Sequence, residues 1–374
     1  MRAVRILVSL LLMLTLLPVG LIGCNDAEPT DTQTEAPTEK PTEKVEEIKG
    51  EEISLSENAD KLKTWGRYEI TDDGIVCDHT ASGIEFNGVM QGTVYIDIKT
   101  NAETYFTVFV DGVRQRTRFS VSGGRYPERI AIAELKEAGE HNIRILKQTE
   151  ARYSTAELQT LVIDGYLTEA PENRDYYIEF IGDSITCGMG NLGTSVNTDA
   201  QNATYEDGTY SYAFLASEDL GADCSVISQS GIGIAKSWFD PIKDFYTKLS
   251  YCRDKDTDYG FSRTPDMVVI NLGTNDYYLG SEPEAVTAGA IELMELIRSS
   301  YGAEVTILWA YGAMGECMFD AVSAAIDTLG GEGARIYSCE LTENTAGAAG
   351  HPNKSGHIIA STDLKNFIIE IKNK

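Results

Sequence analysis

Beyond Pro171, five short and almost wholly apolar runs, at residues 177–181, 224–228, 267–271, 305–310 and 335–339, alternate with stretches of helical periodicity. The helical stretches cover 211–220, 283–300, 319–329 and 355–371. A strand without polar alternation is buried on both faces, and strands that alternate with helices form a parallel sheet with helices packed on both sides. In such a sheet chemistry collects in the loops beyond the carboxyl ends of the strands. This expectation confines the search for function to a few short segments.

Four of these segments carry reactive residue types. The first strand runs into Gly182-Asp183-Ser184-Ile185-Thr186-Cys187-Gly188, the second into Ser228-Gln229-Ser230-Gly231-Ile232-Gly233, and the third into Leu272-Gly273-Thr274-Asn275-Asp276. His351-Pro352-Asn353-Lys354-Ser355-Gly356-His357 opens the last helix. Taken singly, Gly-Asp-Ser makes an ordinary turn or helix cap, Gly231 a tight turn and Asn275 a cap. Together they place a hydroxyl, an imidazole and hydrogen-bond donors at one sheet edge, which is the equipment of acyl transfer. Cys187 has no Lys, Arg or His beside it in the chain to lower its thiol pKa, so it reads as a packing residue.

In order and spacing the four segments resemble the four blocks of the SGNH, or GDSL-like, hydrolases. The resemblance implies a flavodoxin-like parallel sheet with Ser184 as nucleophile and His351 as general base and then acid. It also implies an oxyanion hole made by the Gly231 amide, the Asn275 side chain and the Ser184 amide. One departure matters: most such enzymes carry Asp three residues before the histidine, and this chain has Ala348. A Ser-His dyad is therefore expected, with a backbone carbonyl accepting the Nδ1 proton and a remote Glu340 or Glu343 as the substitute. His357 reads as structural.

From residue 53 to 168 the pattern is different: short alternating runs, a hairpin signal at Asp111-Gly112, and turn residues at regular intervals. These features predict a β-sandwich, of jelly-roll type. A sandwich joined to Gly-Asp-Ser-Ile-Thr-Cys-Gly and His-Pro-Asn resembles carbohydrate esterase family 2, over roughly residue 53 to the C-terminus. That resemblance implies removal of acetyl groups from plant polysaccharides such as xylan and glucomannan, with a tendency towards 6-position esters. Some members of that family also lack the third triad residue. Trp309, Trp238 and Tyr277 are candidates for stacking on a sugar ring, with core packing as the alternative for each. Two other functions compete: an SGNH esterase acting on lipid or aryl esters, and a catalytically inactive surface protein that binds carbohydrate.

The N-terminus begins with Arg2 and Arg5, an apolar run over 6–17, and Leu21-Ile22-Gly23-Cys24, which resembles a bacterial lipobox. Residues 1–24 are therefore expected to be a lipoprotein signal with Cys24 lipidated, and 25–52 a Thr/Glu/Pro tether. An uncleaved membrane helix is the alternative. Both place the body of the protein, domains 53–168 and 172–374, outside the cytoplasm. A net charge of -27 excludes nucleic acid as a partner. No cofactor motif or metal-ligand spacing is present, and the six remaining cysteines are expected as buried free thiols.

Overall fold

The structure, a computed structural model, describes residues 50–198 and 203–373. The expected signal, Cys24 and nearly all of the tether lie outside the described residues. The first strand, Glu51–Ser54, begins two residues inside the segment assigned to the tether.

The five apolar runs form one parallel sheet. Its strands are Tyr177–Gly182, Asp223–Ser228, Met267–Asn271, Thr306–Tyr311 and Ile336–Glu340, in the spatial order second, first, third, fourth, fifth. This is the flavodoxin-like order, in which the chain reverses direction beside the first strand. One face of the sheet, with Ile178, Phe180, Val226, Val269 and Leu308, packs under Tyr212–Leu220 and Lys354–Lys372. The other, with Ile181, Ile227, Val268, Ile270 and Trp309, packs against Pro283–Tyr301 and Phe319–Thr328. Local chemistry sets the helix starts. The Ser211 hydroxyl caps the Phe214 amide, Pro283 occupies the first turn of its helix, and the Asn353 side chain caps the Gly356 amide.

The N-terminal strands are antiparallel and join in one hydrogen-bonded network of ten. Gly83–Thr100 and Glu128–Lys147 are its long central pair, and Ala156–Leu167 lies along the other edge of the first. Asp111 and Gly112, at φ 51° and 74°, turn the hairpin between Thr104–Val110 and Val113–Arg114. The inward side chains, among them Phe86, Ile96, Phe106, Ile143 and Leu161, make one apolar core.

The two sheets are parts of one body, since Ile48–Lys374 is a single compact unit. Their junction is apolar where Trp65, Phe109 and Leu146 reach the helical layer of the parallel sheet. It is also ionic. Lys63 Nζ lies 2.6 Å from Asp223 Oδ1, Arg67 pairs with Glu179 at 3.6 Å, and Arg144 grips both oxygens of Glu218 at 3.0 and 2.5 Å. Removing one member of a buried pair strands the other charge, so these contacts set how the sheets meet.

Candidate active site

Ser184 starts a single helical turn, Ser184–Cys187, directly after the first parallel strand. Asp183 caps that turn by accepting the Ile185 amide at 3.0 Å. Burial, reinforced by the Asp276 charge, pushes the Asp183 carboxyl up to about 7, although the Ile185 amide opposes the rise. The loop after the turn, at residues 188–197, then meets the loop that carries the histidine. The Ala348 amide donates to the Gly190 carbonyl at 3.0 Å, Ala349 to Asn197 at 2.8 Å, and Lys354 to Asn191 at 2.9 Å. Gly190 has φ 73°, and a Cβ there would lie 2.7 Å from the Ala348 carbonyl oxygen, so only glycine permits this approach.

That lacing brings together residues 167 positions apart: His351 Nε2 lies 2.8 Å from Ser184 Oγ. The other ring nitrogen, Nδ1, faces the Ala348 carbonyl oxygen at 3.3 Å. If Nδ1 carries the proton and donates to that carbonyl, Nε2 is the acceptor a serine hydroxyl requires. Burial lowers the His351 pKa, and the Ala348 and Ala349 carbonyls partly offset this by favouring the charged ring. Glu340 and Glu343 face a different depression, shared with Asp363 and Glu370.

Ser184 and His351 open into a pocket of about 380 Å³ lined also by Met189, Ser230, Gly231, Asn275, Arg152, Trp238 and Phe239. Gly231 sits at φ 84°, where its carbonyl accepts the Trp238 amide at 2.9 Å. Asn275 Nδ2 donates to the Ile232 carbonyl at 2.8 Å and to Asp183 Oδ2 at 3.2 Å, so both its hydrogens are engaged. It can serve an oxyanion only by giving up one of these, and the longer bond to Asp183 is the weaker. Such bonds commonly tighten or exchange when substrate arrives.

The three aromatic candidates separate. Trp238 is 66% exposed and lines this pocket beside Phe239. Tyr277 is exposed but lines a neighbouring pocket with Pro283, Met318 and Phe319. Trp309 is a correction: it is fully buried in the core and donates from Nε1 to the Leu272 carbonyl, so no sugar can reach it. A strand buried on both faces offers no alternation from which to tell inside from outside.

His357 is buried, accepts the Tyr212 amide on Nδ1 at 3.1 Å, and lies parallel to the Tyr212 ring. Burial holds its pKa down to about 3, which keeps it neutral. Cys187 is buried, its thiol pushed far up by burial and the Glu150 carboxylate. No cysteine is in a disulfide among the described residues; four of the six are buried, while Cys252 is exposed and Cys317 half-buried, against the expectation of burial for all. Among the described residues no His, Cys, Asp and Glu group of three or more could hold a metal.

Three residues around the site escape the sequence reading. Asp276 is buried and accepts the amides of Ile234, Ala235 and Lys236 at 2.7, 2.7 and 2.9 Å, which holds the turn after Gly231 in place. Glu150 and Arg152 reach the site from the antiparallel sheet. Asp276 follows Asn275 directly and could have been found there; the other two have no local signal.

The fold and the paired serine and histidine define a hydrolase of the SGNH or GDSL-like type. Residues 178–359 match the family described as GDSL-like Lipase/Acylhydrolase, and residues 64–171 match Carbohydrate esterase 2 N-terminal. These matches, with relatives and solved structures that are family 2 carbohydrate esterases, support a carboxylic ester hydrolase similar to that family. It is 31% identical over 331 residues to the Cellulase/esterase CelE of Acetivibrio thermocellus, a match covering 83% of this chain but 39% of that longer protein. It is 20% identical to an Acetylxylan esterase / glucomannan deacetylase of Cellvibrio japonicus, covering 81% of this chain and 87% of that one. Among solved structures, a family two carbohydrate esterase from Clostridium thermocellum in complex with cellohexaose superposes with a TM-score of 0.77 at 27% identity. That match covers 83% of this chain and 98% of that one.

Proposed function

We propose that this protein is an exported, lipid-anchored esterase that removes O-acetyl groups from a plant polysaccharide of the xylan or glucomannan type through a Ser184–His351 dyad. The observation that carries the reading is the 2.8 Å approach of His351 Nε2 to Ser184 Oγ, with a main-chain carbonyl behind the ring. The names of the relatives, which include an acetylxylan esterase and a glucomannan deacetylase, support the substrate class. So does an aromatic wall, Trp238 and Phe239, at the mouth of a pocket large enough for an acetylated sugar unit.

In the proposed reaction His351 Nε2 takes the Ser184 proton as Oγ bonds to the acetyl carbon. The carbonyl oxygen becomes an oxyanion that the Gly231 and Ser184 amides and Asn275 meet. Collapse breaks the bond to the sugar oxygen, which receives the proton from His351, and leaves acetyl-Ser184. His351 then takes a proton from water as the water oxygen attacks, and the second collapse releases acetate and returns the proton to Ser184. The Ala348 carbonyl remains neutral throughout and stabilises the imidazolium only as a hydrogen-bond acceptor.

The anchor rests on the 21–24 segment and places the enzyme on the extracellular face of the membrane. Among the described residues no helix is long and apolar enough to cross a membrane. Acetate release from acetylated xylan and glucomannan by the 53–374 fragment tests the reading, with Ser184→Ala and His351→Ala as controls. Turnover of short aryl acetates alone would discard the polysaccharide. A folded protein inactive on every ester would leave carbohydrate binding as the function. Mass spectrometry of the membrane fraction, compared with Cys24→Ala, tests the anchor.

A further inference from the structure

The loop between Glu128–Lys147 and Ala156–Leu167 leaves the antiparallel sheet and enters the catalytic region. It is anchored on the way. Lys147 Nζ, fully buried, donates to the carbonyls of Asp78, Thr149 and Glu150 at 3.0, 2.6 and 3.2 Å, and the Glu150 amide donates to Glu206 Oε1 at 2.5 Å. The Glu150 side chain has no solvent exposure, and its Oε2 accepts the Ser230 amide at 2.7 Å. Ser230 immediately precedes Gly231.

We infer that Glu150 is a positioning residue for ester hydrolysis: through the Ser230 amide, the antiparallel sheet holds the Gly231 donor in its oxyanion-binding orientation. The inference rests on the reading of Ser184 as nucleophile. Gly231 has a conformation few residues adopt, and a glycine has many alternatives. Its peptide is held on the far side by the Trp238 amide on its own carbonyl, and Ile232 by a bond to the Gln229 carbonyl at 3.2 Å. On the near side the hold is the Glu150 carboxylate, a charged and therefore stronger acceptor.

A buried carboxylate near an oxyanion hole would by itself oppose the negative charge formed in the reaction. Two neighbours reduce that effect. Arg152, which lines the pocket, pairs with Glu150 Oε1 at 3.5 Å. Glu206 has its pKa pushed well up by burial and by the Glu150 charge, which disfavours a second charge beside the first. The arrangement keeps the geometric benefit of a strong acceptor while cancelling much of its field.

An oxyanion-hole defect lowers kcat and leaves KM nearly unchanged, because the charge exists only in the transition state. The test compares Glu150→Asp, which withdraws the carboxylate by one methylene, and Glu150→Ala with Glu150→Gln, whose amide oxygen can still accept from Ser230. The substrate is a small aryl acetate, so sugar binding does not enter. Asp and Ala variants are expected to lose about 10- to 100-fold in kcat, less than outright loss of an oxyanion donor. The Gln variant is expected to stay within about fivefold of wild type. Affinity for a methylboronate, which forms a tetrahedral adduct on serine, should fall in step with kcat. Unchanged kcat in the Asp and Ala variants overturns the inference, as does a fall in kcat without weaker boronate binding. If Glu150→Ala fails to fold, Glu150→Asp carries the same criteria. A wild type without turnover would instead sink the esterase reading, and boronate binding would still report on Glu150.

Discussion

His351 Nε2 and Ser184 Oγ, 2.8 Å apart, are supplied by loops that hydrogen-bond to each other rather than only to the sheet. Since each residue is useless to the other when alone, their effects should not add. Ser184→Ala, His351→Ala and the double variant are expected to lose kcat by a similar factor, about 10⁶-fold. Burst and steady-state assays on an aryl acetate check this, and a double variant much worse than either single one would contradict the dyad.

His351 Nδ1 faces the Ala348 carbonyl oxygen, and Glu340 and Glu343 line a different depression. Glu340→Gln and Glu343→Gln are therefore expected to keep kcat/KM within about twofold of wild type, inside the range of ordinary surface substitutions. Loss of turnover in either, with the fold intact by circular dichroism, would show that a carboxylate completes a triad.

The pH dependence follows from burial. Desolvation disfavours the imidazolium and lowers the His351 pKa, so the neutral base persists to lower pH than a free imidazole, whose pKa is about 6.5. The acid limb of kcat/KM, which reports the free enzyme, should fall below that value. A limb at or above it would mean that an anion stabilises the charged ring.

Trp238 and Trp309 should fail in opposite ways. Trp238→Ala is expected to raise KM for acetylated polymer several-fold while sparing aryl acetates, if the exposed ring in this pocket stacks on the sugar as proposed. Trp309→Ala opens a cavity between the third and fourth parallel strands and the helices over them, at a cost of about 3–5 kcal/mol in stability. Denaturant titrations beside Michaelis–Menten kinetics separate the two.

Asp276→Ala removes the acceptor of three backbone amides and of the Ser281 hydroxyl. Hydrogen bonds to a charged group contribute about 1.5–3 kcal/mol each and are not additive, so a loss of at least about 2 kcal/mol is expected. The turn after Gly231 should loosen as well, and kcat should fall before the protein unfolds.

The catalytic sheet was legible because its strands are continuous apolar runs and its helices carry recognisable ends. Met267–Asn271 lies where the pattern predicts it, and the other four parallel strands begin or end within one residue. The antiparallel sheet was less so. Glu128–Lys147 reads as two short strands, at 129–132 and 142–146, because its middle, Lys-Glu-Ala-Gly-Glu at 136–140, is mostly exposed and lacks alternation. Ser184, Gly231, Asn275 and His351 carry local motifs, whereas the Glu150 bond to Ser230 spans 80 residues and leaves no pattern along the chain. Trp309 misleads for the converse reason, since a strand buried on both sides cannot show which way a side chain points.

The bonds between the 188–197 loop and the 347–354 loop have a mechanical consequence. Ser184 and His351 ride on one clasp, fastened at Gly190, Asn191 and Asn197, so bending of the sheets carries both together and their separation hardly changes. Warming should then leave Ser184 and His351 in register until the clasp itself opens, and any esterase activity should vanish in the same cooperative step as the structure.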